Sequence, residues 1–188
     1  MFDRMKTLSL WQTCEISPNL MSMITHMAQR VMLYKTTFYD PVEKATGVPW
    51  YVVGVIDMRE EDFNHGGYLG NGDPLWKRTT HVPANRGPFK TWFEGAIDAL
   101  TMRNFNHLPV GGHWDTVTSL IQLEKYNGMG YNARHLNSPY VWASTNHQMP
   151  GKYTSDGHFD QNAYDSQPGC AGVLLALKRQ FNVDVGDA

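Results

Sequence analysis

The sequence predicts a mainly α fold of the α+β kind, with a small β element after a buried second helix. Apolar residues return at helical spacings in several separate segments. The long stretch without such a period, residues 64–88, carries Gly66-Gly67, Gly70-Asn71-Gly72-Asp73-Pro74, Pro83 and Gly87-Pro88. That is turn chemistry, with room for short strands at most. A length of 188 residues suits one domain whose core needs neither metal nor disulfide. Residues 1–188 are therefore read as a single domain, with 1–16 as an arm or a first short helix.

Ser17-Pro18 marks the first clear helix start, followed by Leu20, Ile24, Met27 and Val31 on one face. Asp40-Pro41 and Gly47-Val48-Pro49 bound a connecting segment. Tyr51-Val52-Val53-Gly54-Val55-Ile56 is β-branched enough for a buried strand, but Pro49 in a first turn and continuation to Met58 favour a buried helix. Thr91-Trp92-Phe93-Glu94 is a capping box and opens a helix expected to bury Phe93, Ala96, Ile97 and Leu100. Val117, Leu120 and Ile121 mark the next helix, which should stop at Asn127-Gly128. A short helix near Ser138–Ser144 and a last one from Ser166-Gln167-Pro168, burying Cys170, Val173, Leu174, Leu177 and Phe181, complete the elements.

A net charge of −2 argues against a nucleic-acid partner, which calls for a basic surface. Cys14 and Cys170 lie in apolar or helical contexts with no metal or redox spacing, so two buried thiols are expected. Eight histidines include no His-Glu-x-x-His pattern, and no metal and no cofactor is expected. The start, Met1-Phe2-Asp3-Arg4-Met5-Lys6, leads into no apolar signal core. No run approaches the roughly 18 apolar residues of a transmembrane helix. The expectation is synthesis in a cytoplasm without a readable signal peptide.

Chemistry concentrates where the apolar run 52–58 ends in Arg59-Glu60-Glu61-Asp62. A carboxyl at the mouth of a buried element is pushed towards its protonated form, as a general acid for glycosidic cleavage requires. Glu60 is the candidate acid. Asp73, on the glycine turn, is the candidate second carboxylate, and Thr79 a candidate for positioning water. Glu94 and Asp98 share a helix face and could line a cleft, although the capping box accounts for Glu94 by itself. Tyr131, Trp142 and Tyr153 are candidate stacking platforms for sugar rings, with Asn127, Asn146 and Asp156 as hydrogen-bonding partners.

Arg59-Glu60, Leu69-Gly70-Asn71-Gly72-Asp73-Pro74-Leu75, Arg78-Thr79, Val82-Pro83 and Trp92–Leu100 together resemble a family of phage and bacterial peptidoglycan lysozymes. The likeness continues through Tyr126–Tyr131, Ser138–Trp142 and Gly151–Gly157, covering about residues 50–175. It implies a lysozyme-like fold in which the acid Glu ends a buried helix just before a β-hairpin. Arg59-Glu60 keeps the family's order and so implies Glu60 rather than Glu61. Asp73 and Thr79 echo the Asp and Thr of phage-type lysozymes. Tyr126-Asn127-Gly128 is similar to a segment bordering the sugar site of lytic transglycosylases.

The expected function is a monomeric muramidase or endolysin that cuts the N-acetylmuramic acid–N-acetylglucosamine bond of bacterial peptidoglycan, acting on the wall after release. Lytic transglycosylation of the same bond is the main alternative. A non-catalytic wall-binding module and a metal-dependent wall amidase, using His147, His158 and an Asp, are the others.

Overall fold

The computed structural model describes residues 3–102, 104–108, 112–155 and 157–186. The chain divides into two compact units, a central one, Gln29–Trp114, and a terminal one that joins Met1–Ala28 to Asp115–Ala188. Nothing in the sequence pattern separates these two within the single domain expected over 1–188.

Helix α1 spans Arg4–Gln12, so the amino-terminal segment is a helix rather than an arm. The Asp3 side chain caps it by accepting from the amides of Met5 and Lys6. One tight helical turn, Pro18–Leu20, leads into α2, Met21–Tyr34. Residues 21–28 of α2 belong to the terminal unit and 29–34 to the central one.

In the central unit α2 runs through a wide π-helical turn, Lys35–Tyr39, into α3, Asp40–Thr46. The segment expected to be a connection is thus helical as far as Thr46. Pro41 sits in its first turn, where a missing N–H costs nothing, and Gly47 ends it at φ 75°. Helix α4, Trp50–Glu61, is buried on every side from Tyr51 to Met58, the signature of a core helix. Gly54 lets it approach its neighbours: a Cβ there would stand 2.6 Å from Val31 Cγ1 and 3.0 Å from the Tyr39 ring.

Asp62 and Phe63 both adopt left-handed conformations, φ 48° and 61°, and turn the chain sharply out of α4. The β-hairpin expected next does not form. Among the described residues, 64–88 holds one isolated antiparallel bridge, Gly67 with Pro74. Side chains take over what a ladder would supply: the Asp73 carboxylate accepts from the amides of Thr80 and His81, and the Thr79 hydroxyl accepts from the amide of Arg86. Helix α5, Trp92–Thr101, then starts at Thr91, whose hydroxyl accepts from the Glu94 amide. Its inward face is Trp92, Gly95, Ala96, Ala99 and Leu100. Phe93, expected inside, is 39% exposed, and Ile97 is half-buried, because the cap phases the helix with Trp92 inward.

In the terminal unit α6, Thr116–Asn127, is capped by Asp115 and stops at Gly128, φ 108°, where the sequence places its end. It packs against α1, against α8 (Pro139–Trp142, which follows the single-turn α7, Gly130–Ala133) and against α9, Cys170–Phe181. The two-stranded antiparallel sheet lies here, with β1 (Lys152–Ser155) against β2 (His158–Asp160), Tyr153 opposite Phe159. Helix α9 starts at Cys170, later than expected, because Pro168 and Gly169 hold an extended entry; its buried run is Cys170–Leu177, with Phe181 half-buried. Cys14 and Cys170 are buried free thiols. No helix among the described residues is long and apolar enough to cross a membrane.

Candidate functional site

The carboxyl-terminal end of α4 and the loop after it form the most charged buried region of the central unit. Asp57 and Glu61 lie one helical turn apart, so both carboxyls face the same way. Asp57 is fully buried. Its Oδ2 accepts from the Tyr39 hydroxyl at 2.6 Å and stands 3.0 Å from His65 Nε2, while Oδ1 has no partner. The His65 ring stacks on Phe38 at 3.6 Å between centroids and meets the rings of Tyr34 and Trp92 edge-on.

Glu61 is 8% exposed. The Trp92 indole N–H donates to its Oε1 at 2.9 Å. Its Oε2 is enclosed and faces Gly67, where a Cβ would be 2.6 Å away. Burial, followed by the charge of Asp57, outweighs the Trp92 bond and raises its pKa from 4.5 to about 9. Glu61 therefore keeps its proton at neutral pH.

Glu60 is half-buried. Its backbone carbonyl is so close to Gly72 that a Cβ there would stand 2.8 Å away. The glycine loop thus folds back on the end of α4, with Gly67 over Glu61 and Gly72 over Glu60. Glycine is needed at 72 for its φ of 75° as well.

That fold-back carries Asp73 to the end of α4. Asp73 is 8% exposed. Burial pushes its carboxyl up, but the amide and ring of His81 and the amide of Thr80 together more than offset this and lower the pKa to about 2. The contacts are 2.7 Å from Thr80 N, 3.0 Å from His81 N and 2.6 Å to His81 Nδ1. An ionised carboxylate can only accept, so Nδ1 carries the hydrogen, and the His81 ring, 78% exposed, presents Nε2 outward. Asp73 is thereby committed to orienting a histidine. Thr79 is committed as well: buried, it donates to the Pro83 carbonyl at 2.6 Å and accepts from Arg86 N at 2.9 Å.

Glu94 and Asp98 serve structure. Glu94 accepts from the Lys90 amide at 2.8 Å, and Asp98 pairs with Arg86 and accepts from the Tyr68 hydroxyl.

The residues expected to bind sugar belong to the terminal unit. Tyr131 and Trp142 are buried, and the Tyr131 hydroxyl accepts from Tyr153 N at 3.1 Å. The Tyr153 hydroxyl accepts from Arg134 Nε. Asn127 donates to Ser138 Oγ at 3.3 Å, and Tyr126 is half-buried in the last turn of α6. Asn146 accepts from Glu15 N and donates to the Thr13 carbonyl, both at 2.9 Å. Tyr131, Trp142 and Asn146 are therefore used within the unit's own packing. Asp156 lies outside the described residues.

Among the described residues no group of three or more His, Cys, Asp or Glu side chains is placed to hold a metal ion; His147 instead contacts Thr13 Oγ1 at 3.0 Å. Sequence reasoning missed Asp57, His65, Trp92 and His81. A usable signal existed for Asp57, an acid inside Val55-Ile56-Asp57-Met58, since an acid there must find a buried partner. Compared with protein-family models, curated proteins and solved structures, the chain matches none.

Proposed function

We propose that the protein is a peptidoglycan glycosidase that cleaves the N-acetylmuramic acid–N-acetylglucosamine bond, with Glu60 as general acid. The observation that carries the reading is the placement of Glu60, half-buried at the end of a core helix with the glycine loop folded back onto it, between one carboxyl that holds its proton, Glu61, and one that stays ionised, Asp73. Groups driven apart in this way are the pattern of acid–base sites. Both carboxyl oxygens of Glu61 are engaged or enclosed, whereas Glu60 is half-buried at the end of the helix. The Arg59-Glu60 order supports the same choice.

Asp73 acts in this reading through His81. With Nδ1 held, Nε2 is oriented to take a proton from water or from a substrate hydroxyl. Because Asp73 is spent on that task, a route needing no carboxylate nucleophile is favoured. Intramolecular transglycosylation is such a route and is the second reading.

The test is turbidity clearance of purified peptidoglycan. Glu60→Gln is expected to slow it by more than about 100-fold, the usual worth of a general acid, while Glu61→Gln retains most of it. Wild-type clearance by Glu60→Gln overturns the assignment, and loss in Glu61→Gln alone transfers the acid to Glu61. Mass spectrometry separates the routes: anhydro-muramic ends mark transglycosylation, reducing muramic ends hydrolysis, and free stem peptides neither.

A further inference from the structure

A second polar cavity lies wholly within the terminal unit, between α1, α6 and the chain that follows α7. Its volume is about 250 Å³, below the ~300–1,000 Å³ of drug-sized pockets, so it suits a small molecule. Lys6 of α1 and Glu124 of α6 both line it. These helices pack on each other, yet among the described residues neither charged group has an ion-pair or hydrogen-bonding side-chain partner. Leu10, Leu136 and Trp142 form apolar wall, Asn132 and Asn137 contribute amides, and His135 adds a titratable ring. Asp3 is already occupied in capping α1.

We propose that this cavity binds a small α-amino acid as its zwitterion, the carboxylate at Lys6 and the ammonium at Glu124. Charge complementarity selects that class. A lone cation would leave Lys6 opposed, and a lone anion would meet Glu124 and Asp3. A neutral sugar would pair with neither charge. An internal pair of opposite charges fills both places with no net charge. Burial holds Glu124 up at about 7, with Lys6 pulling the other way, so a bound ammonium should drive it to ionise and release a proton near neutrality. Nothing in this depends on the glycosidase reading.

The probe is L-leucine, titrated calorimetrically into the full chain at pH 7, with N-acetyl-L-leucine, L-leucinamide and N-acetylglucosamine alongside. Leucine is expected to bind with a Kd of about 1 mM or tighter and to release protons, seen as buffer-dependent heat. The two capped forms, and leucine with Glu124→Gln or Lys6→Met, should bind at least about tenfold more weakly. Lys6 is exposed, so Lys6→Met keeps the comparison usable if Glu124→Gln unfolds. Absence of leucine binding at about ten times that concentration overturns the proposal. So does equal binding of a capped form, or preference for N-acetylglucosamine.

Discussion

Glu61 and Asp73 are each 8% exposed and both in the central unit, yet one carboxyl is raised to about 9 and the other lowered to about 2. Burial pushes both the same way. Glu61 lies deeper and loses more of its hydration, and the two also differ in the supply of N–H groups. Asp73 sits in a turn whose backbone is free to point at it, and it collects two amides and a ring N–H. Glu61 sits on a helix whose amides are already spent, accepts from Trp92 and faces the charge of Asp57. A loop can stabilise a buried anion, whereas the side of a core helix leaves the proton in place.

The contrast breaks most visibly at Asp73. Asp73→Ala leaves Thr80 N, His81 N and His81 Nδ1 without their acceptor and should cost about 3 kcal/mol in urea unfolding at pH 7. The acid dependence follows from the direction of the shift. Asp73 titrates lower in the folded chain than its ordinary 3.8, so its contribution is complete above that value and is lost as pH falls towards about 2. Between those values the wild type should lose stability faster than Asp73→Asn. Parallel curves would mean that the carboxylate is not held by these bonds.

Tyr39 tests the other side. Its hydroxyl donates to buried Asp57 at 2.6 Å, and Tyr39→Phe keeps the ring while removing that donor. A cost of about 2 kcal/mol is expected, since a buried carboxylate is left short of a partner. Because Asp57 presses on Glu61 through its charge, the same variant should also move the titration of Glu61, which carboxyl NMR would follow.

The helices were largely legible because their signals are local. Pro49 and the run to Met58 favour a helix over a strand, Thr91 starts α5 and Gly128 stops α6. The loop 64–88 reads correctly as turns, but the hairpin expected within it forms instead at Lys152–Asp160. Periodicity carries no information on which backbone groups a side chain will satisfy, and here Asp73 and Thr79 satisfy several. The surroundings of Glu61 include Trp92, thirty-one residues along the chain, whose N–H donates to it against the upward push of burial. No pattern within the Arg59–Asp62 run contains that contact. Burial acts most fully on Glu61, while Glu60 beside it is half-buried.

Glu61 gives the sharpest sign. Glu61 titrates higher when folded than its ordinary 4.5. Below about 4.5 the folded and unfolded chains both carry the proton, and stability is unaffected. As pH rises towards about 9 the unfolded chain ionises while the folded one does not, so wild-type stability falls across that window. Glu61→Gln never ionises and escapes the fall. The variant should match the wild type at pH 4 and exceed it at pH 8 by more than about 1 kcal/mol, one pKa unit being worth about 1.4 kcal/mol. Asp73→Asn predicts the opposite pH dependence. If both variants shift stability in the same direction with pH, the supply of N–H groups does not separate the two sites, and burial alone governs them.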